Sequence, residues 1–177
     1  MAYLSPSYLQ RYDTSAVSNS RVIFEAKNAV VKAGVFLSHS SADDALVDKV
    51  ILFFREFDVL VYADNYDQSL PKPPTVDTAV KLKSRIRDAS KIIVLVSSNS
   101  QKSRWIPWEL GFADRDKGIA SIGILPVTSD GSEEQWIKEE YFGLYPRIRS
   151  YNDEWKVIDP RDNKCWVLKD WLHKTVE

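Results

Sequence analysis

Residues 92–96 read Ile-Ile-Val-Leu-Val, five apolar side chains in succession. A strand with one face in water alternates apolar and polar residues. An unbroken apolar run belongs in a strand covered on both faces, the situation of a parallel sheet flanked by helices. Val35-Phe36-Leu37 and the stretches 59–63 and 119–125 are further short apolar runs. Between them the apolar spacing is helical. Ser40 and Ser41 before Asp43 and Asp44 open a helix that passes Leu46, Val50, Phe53 and Phe54 and ends near Phe57. Residues 76–88 carry Val76, Ala79, Val80, Leu82 and Ile86 at helical spacing. A third helix runs from Trp105 to about Asp116, with Pro107 accommodated in its first turn.

This alternation predicts one α/β domain with a mainly parallel sheet. Beyond Pro126 the pattern weakens. It supports a short helix near 133–138, strands near 147–149 and 155–158, and a last helix over 163–175. Ahead of the first strand, residues 1–20 read as an irregular arm and 21–32 as a short helix. The expected division is an N-terminal extension over 1–33 and a domain over 34–177.

A net charge of −1 over 177 residues gives no basic surface for nucleic acid, and Lys81, Lys83, Arg85 and Arg87 read as the solvated face of a helix. The single cysteine, Cys165, excludes an internal disulfide and a cysteine zinc site, while His39 and His173 stand too far apart for a histidine metal site. No metal is expected. The N-terminus lacks a signal-peptide pattern and no apolar run reaches spanning length, so a cytoplasmic protein without membrane contact is expected. Neither G-x-G-x-x-G after a strand, nor the phosphate-loop motif, nor G-x-S-x-G occurs.

Open parallel sheets bind ligands outside the carboxyl ends of their strands. Those ends are the stretches 38–41, 64–74, 97–104 and 126–129. The stretch 64–74 is a long loop containing Pro71, Pro73 and Pro74. Trp105-x-x-x-Glu109 sets an indole and a carboxylate one helical turn apart, overlooking the third of these ends. A carboxylate beside a large aromatic is partly desolvated and suited to acid/base work. Spacing alone favours a plainer account, in which Trp105 and Trp108 pack the interior and Glu109 answers the helix dipole.

VFLSHSSADD (35–44), FDVLVYAD (57–64) and SKIIVLVSSNSQKSRWIPWELGFA (90–113) together resemble Toll/interleukin-1 receptor (TIR) domains, in particular stand-alone bacterial ones similar to the TIR proteins of Thoeris anti-phage defence. The resemblance implies a flavodoxin-like open parallel sheet of five strands with helices on both faces. It also implies NAD+ cleavage at the nicotinamide–ribose bond, with Glu109 catalytic, NAD+ as substrate and no cofactor. The product would be ADP-ribose or a cyclic ADP-ribose-type signal. Trp105, His39, Ser40, Asp64, Tyr66, Leu70, Lys72 and Ser98 match substrate-binding positions. For His39 and Ser40, a buried strand-end histidine and a helix cap remain equal alternatives. Self-association between TIR domains is implied through the loop 64–74, with Tyr66 and Leu70 facing outward, as is a separate effector receiving the signal. Two other functions stay open at this point: a non-enzymatic adaptor acting by TIR–TIR assembly, and a nucleoside deoxyribosyltransferase-like enzyme.

Overall fold

The computed structural model describes residues 2–14, 34–71, 73–128 and 141–174. The helices expected over 21–32 and 133–138 lie outside these, as does Lys72.

The apolar runs become strands β1 (Val35–Ser38), β2 (Val61–Ala63), β3 (Lys91–Val96) and β4 (Ile122–Pro126). Three more follow: β5 (Arg147–Tyr151), β6 (Glu154–Ile158) and β7 (Cys165–Val167). The sheet order is β2-β1-β3-β4-β5-β6-β7. The first five strands in that order are mutually parallel. They make up the five-stranded parallel sheet expected from the sequence, and β6 and β7 extend it in antiparallel fashion. β1, β3 and β4 are buried along their whole length, as unbroken apolar runs require.

Around the sheet lie α1 (Pro6–Leu9), α2 (Asp44–Arg55), α3 (Val76–Asp88), α4 (Trp105–Lys117) and α5 (Leu168–His173). Alternate strand residues feed two separate cores. Val35, Leu37, Ile93, Leu95 and Leu125 pack with α2 and α5, while Phe36, Ile92, Val94, Ile122 and Ile124 pack with α3 and α4. At Gly123, a Cβ would meet Ile93 and Trp171 at 3.2 Å, so the missing side chain is what lets α5 lie close on the sheet.

Two expectations need correction. The last helix does not begin at 163. Asn163 has φ 57°, a left-handed conformation outside the helix, and its N–H bonds the Asp159 carbonyl at 2.9 Å. Arg161 grips the Asp159 carboxylate with Nη2 at 2.6 Å, and this turn delivers Cys165–Val167 to the edge of β6 before α5 starts at Leu168. Residues 2–14 are also more than an irregular arm. Ser5 caps the short helix α1, Ala2 and Leu4 bridge Ser150 and Val127, and Leu4 and Leu9 are fully buried in the core. Tyr8 stands edge-on to both Phe53 and Trp155, and accepts a hydrogen bond from the Trp155 indole at 3.2 Å.

Among the described residues, no helix is long and apolar enough to cross a membrane.

Candidate active site at the carboxyl ends of β1, β2 and β3

The chain leaves β1 toward β2 on one side, and β3 pairs on the other. The carboxyl ends of β1 and β3 therefore flank the point where strand order reverses, the crevice in which open α/β sheets bind ligands. Glu109 reaches this switch point from α4, its carboxylate meeting Ser38 at the end of β1. It is the fifth residue of α4, beyond the first turn, so the helix dipole is not what favours an acid there.

Glu109 is 2 % exposed. The Ser38 hydroxyl, at the end of β1, donates to its Oε2 at 2.5 Å. Burial pushes the Glu109 carboxyl up to about 8; the negative charge of Asp64 adds to this and the Ser38 hydrogen bond opposes it. A buried carboxyl held near neutrality, with one hydrogen-bond donor and a second acid beside it, is poised to gain or lose a proton under working conditions.

Asp64 follows β2 directly. Parallel register pairs Phe36 with Tyr62 and Leu37 with Ala63, so the next position along sets Asp64 beside Ser38. His39 completes the group. Its side chain is 1 % exposed, with Nδ1 3.2 Å from the Leu37 carbonyl and Nε2 3.6 Å from Asp64 and 3.7 Å from Asp44. Burial raises the pKa of Asp64, and the adjacent His39 pulls it back.

A second buried acid fixes the rim. Asp43 accepts from Ser97 Oγ at 2.6 Å and from Asn99 Nδ2 at 2.7 Å, which ties the loop after β1 to the loop after β3.

The structure thus gathers Glu109, Asp64 and His39 of the residues singled out in the sequence. Ser40 serves as a cap, its hydroxyl accepting from the Ala42 N–H at 3.4 Å. Trp105 is half-buried one turn before Glu109, edge-on to Trp108 with ring centroids 5.3 Å apart. Ser98 is exposed on its turn, and its neighbour Ser97 is the one that faces inward. Tyr66 and Leu70 do not face outward as expected. The Tyr66 hydroxyl bonds Asp48 of α2 and its ring packs on the α2–α5 core, while Leu70 packs on the α3–α4 core. Asp67 turns the loop inward by accepting from Tyr62 Oη at 2.8 Å and from Ser69 Oγ at 2.6 Å.

Ser38 and Asp43 were missed in the sequence. Ser38 carried one readable signal: it shares strand parity with Phe36, and so faces the helix that bears Glu109.

The sequence pattern of the TIR domain family matches residues 35–158, from the first residue of β1 to the last of β6. The chain belongs to the TIR domain family. The match takes in every residue of the site just described. A Bacillus cereus (strain MSX-D12) protein named "Probable 3' cyclic ADP-D-ribose synthase ThsB'" is 30% identical over 151 residues, 79% of this chain and 75% of that one. A Cytobacillus dafuensis protein named "Putative cyclic ADP-D-ribose synthase TIR2" is 30% identical over 108 residues, 59% of this chain and 26% of that one. The TIR fold thus carries Glu109, Ser38, Asp64 and His39 at its strand-order switch point. Among the described residues no cluster of three or more His, Cys, Asp or Glu side chains is placed to hold a metal ion.

Proposed function

We propose that this TIR domain cleaves NAD+ at the nicotinamide–ribose bond and closes part of the product into a cyclic ADP-ribose. The observation that carries this reading is Glu109, buried in the switch-point crevice with Ser38 on one oxygen and a carboxyl near neutrality. The two relatives, named as cyclic ADP-D-ribose synthases, point to the class of product, and NAD+ is the substrate from which such a product forms with loss of nicotinamide.

Breaking the glycosidic bond sends its electron pair to the nicotinamide nitrogen, which leaves as a neutral molecule, and builds positive charge on the ribose. An ionised Glu109, fixed in a water-poor site, stabilises that charge where it develops. No metal or cofactor enters this scheme. The free carboxyl is mostly protonated at pH 7, but the cationic nicotinamide ring favours its ionised form once NAD+ is bound. Trp105 offers the aromatic face on which that ring stacks.

The test is to follow nicotinamide release from NAD+ by the purified protein across pH. Since the ionised carboxylate is the working form, kcat/KM should climb about tenfold per pH unit below about 8 and level off above it. The rise in kcat should sit at lower pH, where bound NAD+ holds the carboxylate ionised. No release of nicotinamide at any pH would leave the adaptor reading in its place.

Ser38→Ala gives a second check. Removing a donor to the ionised carboxylate raises the Glu109 pKa further, so the kcat/KM limb should move to higher pH by about one unit. An unmoved limb would show that Ser38 does not hold the working form.

The same reading places the protein in the cytoplasm as a signal producer in anti-phage defence, with a separate effector receiving the cyclic nucleotide. Self-association between TIR domains belongs to it as well. Tyr66 and Leu70 are half-buried against the two cores, so a variant that tests their part in it must be shown to remain folded.

A further inference from the structure

Ring closure needs more than an ionised Glu109. The hydroxyl that attacks the ribose must lose its proton, and a second group has to take it. Enzymes at glycosidic bonds divide this labour between two carboxyl groups. Here the second one is present. Asp64 stands beside Ser38, one strand over from the group that holds Glu109, and its charge is felt at Glu109. Unlike Glu109, its side chain is 37 % exposed, so it is open to an incoming hydroxyl.

His39 sits between Asp64 and a second acid. His39 Nε2 lies 3.6 Å from Asp64 and 3.7 Å from Asp44, and the Asp44 side chain is 59 % exposed. The other ring nitrogen, Nδ1, is occupied by the Leu37 carbonyl, which fixes the ring with Nε2 toward the acids. Asn65 completes the surround, with Nδ2 3.4 Å from Asp44 Oδ1.

We propose that Asp64 accepts the proton of the ring-closing hydroxyl and releases it to solvent. The inference rests on the NAD+ reading above and adds the residue that decides between cyclic and linear product. In the step, the C1–N bond to nicotinamide breaks with its electron pair going to nitrogen. A hydroxyl oxygen of the same molecule bonds to C1, and the hydroxyl proton moves to the Asp64 carboxylate. When water is the nucleophile it can shed its proton directly to solvent, so linear ADP-ribose depends on Asp64 far less.

The experiment compares wild type, Asp64→Asn and Asp64→Glu with NAD+ as substrate, resolving nicotinamide, linear ADP-ribose and cyclic product by chromatography. In Asp64→Asn, nicotinamide release should fall severalfold while the cyclic fraction falls about tenfold or more, given that a positioned base contributes roughly 10²–10⁴-fold. Asp64→Glu should restore part of the cyclic fraction. Removing the negative charge should also shift the kcat/KM limb of Glu109 to lower pH, which a purely structural change would not do. A cyclic fraction unchanged in Asp64→Asn, or one that falls only in step with total release, overturns the proposal. So does a wild type that releases nicotinamide but forms only linear product, and this leaves the NAD+ reading standing. A wild type that releases no nicotinamide overturns that reading, and this inference with it.

Discussion

Glu109→Gln should lower nicotinamide release by at least about 10³-fold, which corresponds to roughly 4 kcal/mol of lost transition-state stabilisation. The substitution removes the negative charge and changes little volume, and Ser38 can still donate to the amide oxygen. The fold should therefore survive, and its stability should change in a defined direction. The carboxyl titrates near its ordinary value in the unfolded chain but at about 8 in the fold. Between those values the unfolded chain has lost a proton that the native protein retains, so wild-type stability falls as pH rises toward 8. The amide of the variant does not titrate and escapes this cost. Glu109→Gln should melt higher than wild type at pH 8, with an advantage that shrinks toward pH 5. Turnover in a folded Gln variant within tenfold of wild type would sink the role assigned to Glu109. An equal melting difference at both pH values would sink the account of its buried charge.

This coupling of cost and use explains which parts of the molecule could be read from sequence. Strands such as β3 and β4 advertise themselves, because five apolar residues in a row have no other comfortable place in water-soluble structure. The hairpin between β5 and β6 carried a signal as well. Asn152 and Asp153 occupy left-handed conformations at φ 51° and 60°, the positions where Asn and Asp are tolerated in a two-residue turn. By contrast β7 has three residues, too few for a period, and its Trp166-Val167 runs on without a break into Leu168, the first residue of α5. A three-residue strand is defined by its pairing to β6 and hardly at all by its own composition.

The site divides along the same line. Glu109 and Trp105 are four residues apart on one helix, so local geometry alone places them together. Ser38 and Glu109 are separated by 71 positions, and Asp43 and Ser97 by 54, so those contacts exist only once the sheet has formed. The loop 64–70 misled for a related reason. Its polar residues, and Pro71, Pro73 and Pro74 that follow, read as an exposed surface, whereas Asp67 gathers hydrogen bonds from Tyr62 and Ser69 and folds the apolar members inward. Side-chain hubs of this kind leave no periodic trace.

Lys91→Met should stabilise the protein. Lys91 opens β3 with 1 % exposure, its ammonium 4.8 Å from the centre of the Trp171 ring, and burial pushes its pKa down to about 8, helped by the charge of Lys174. Unfolding restores the ordinary value of 10.5, so below pH 8 the native state carries the whole penalty of a charged, desolvated amine. A shift of that size corresponds to roughly 3 kcal/mol, from which the lost attraction to the Trp171 ring removes about 1 kcal/mol. Met keeps the chain length and fills the same space without a charge. A net gain of about 2 kcal/mol in a chain of this length should raise the melting temperature by roughly 4–8 °C at pH 7. The gain should depend on pH in the sense opposite to that of Glu109. Between pH 8 and 10.5 the unfolded chain holds a proton that the native amine has released, so wild-type stability recovers as pH rises and the advantage of the Met variant fades. Nicotinamide release should be little changed, because Lys91 begins β3 at the end of the sheet opposite Glu109. A variant that melts below wild type at pH 7, or one whose advantage is the same at pH 7 and pH 10, would show that the Lys91 ammonium reaches solvent and that its packing on Trp171 is worth more than its charge costs.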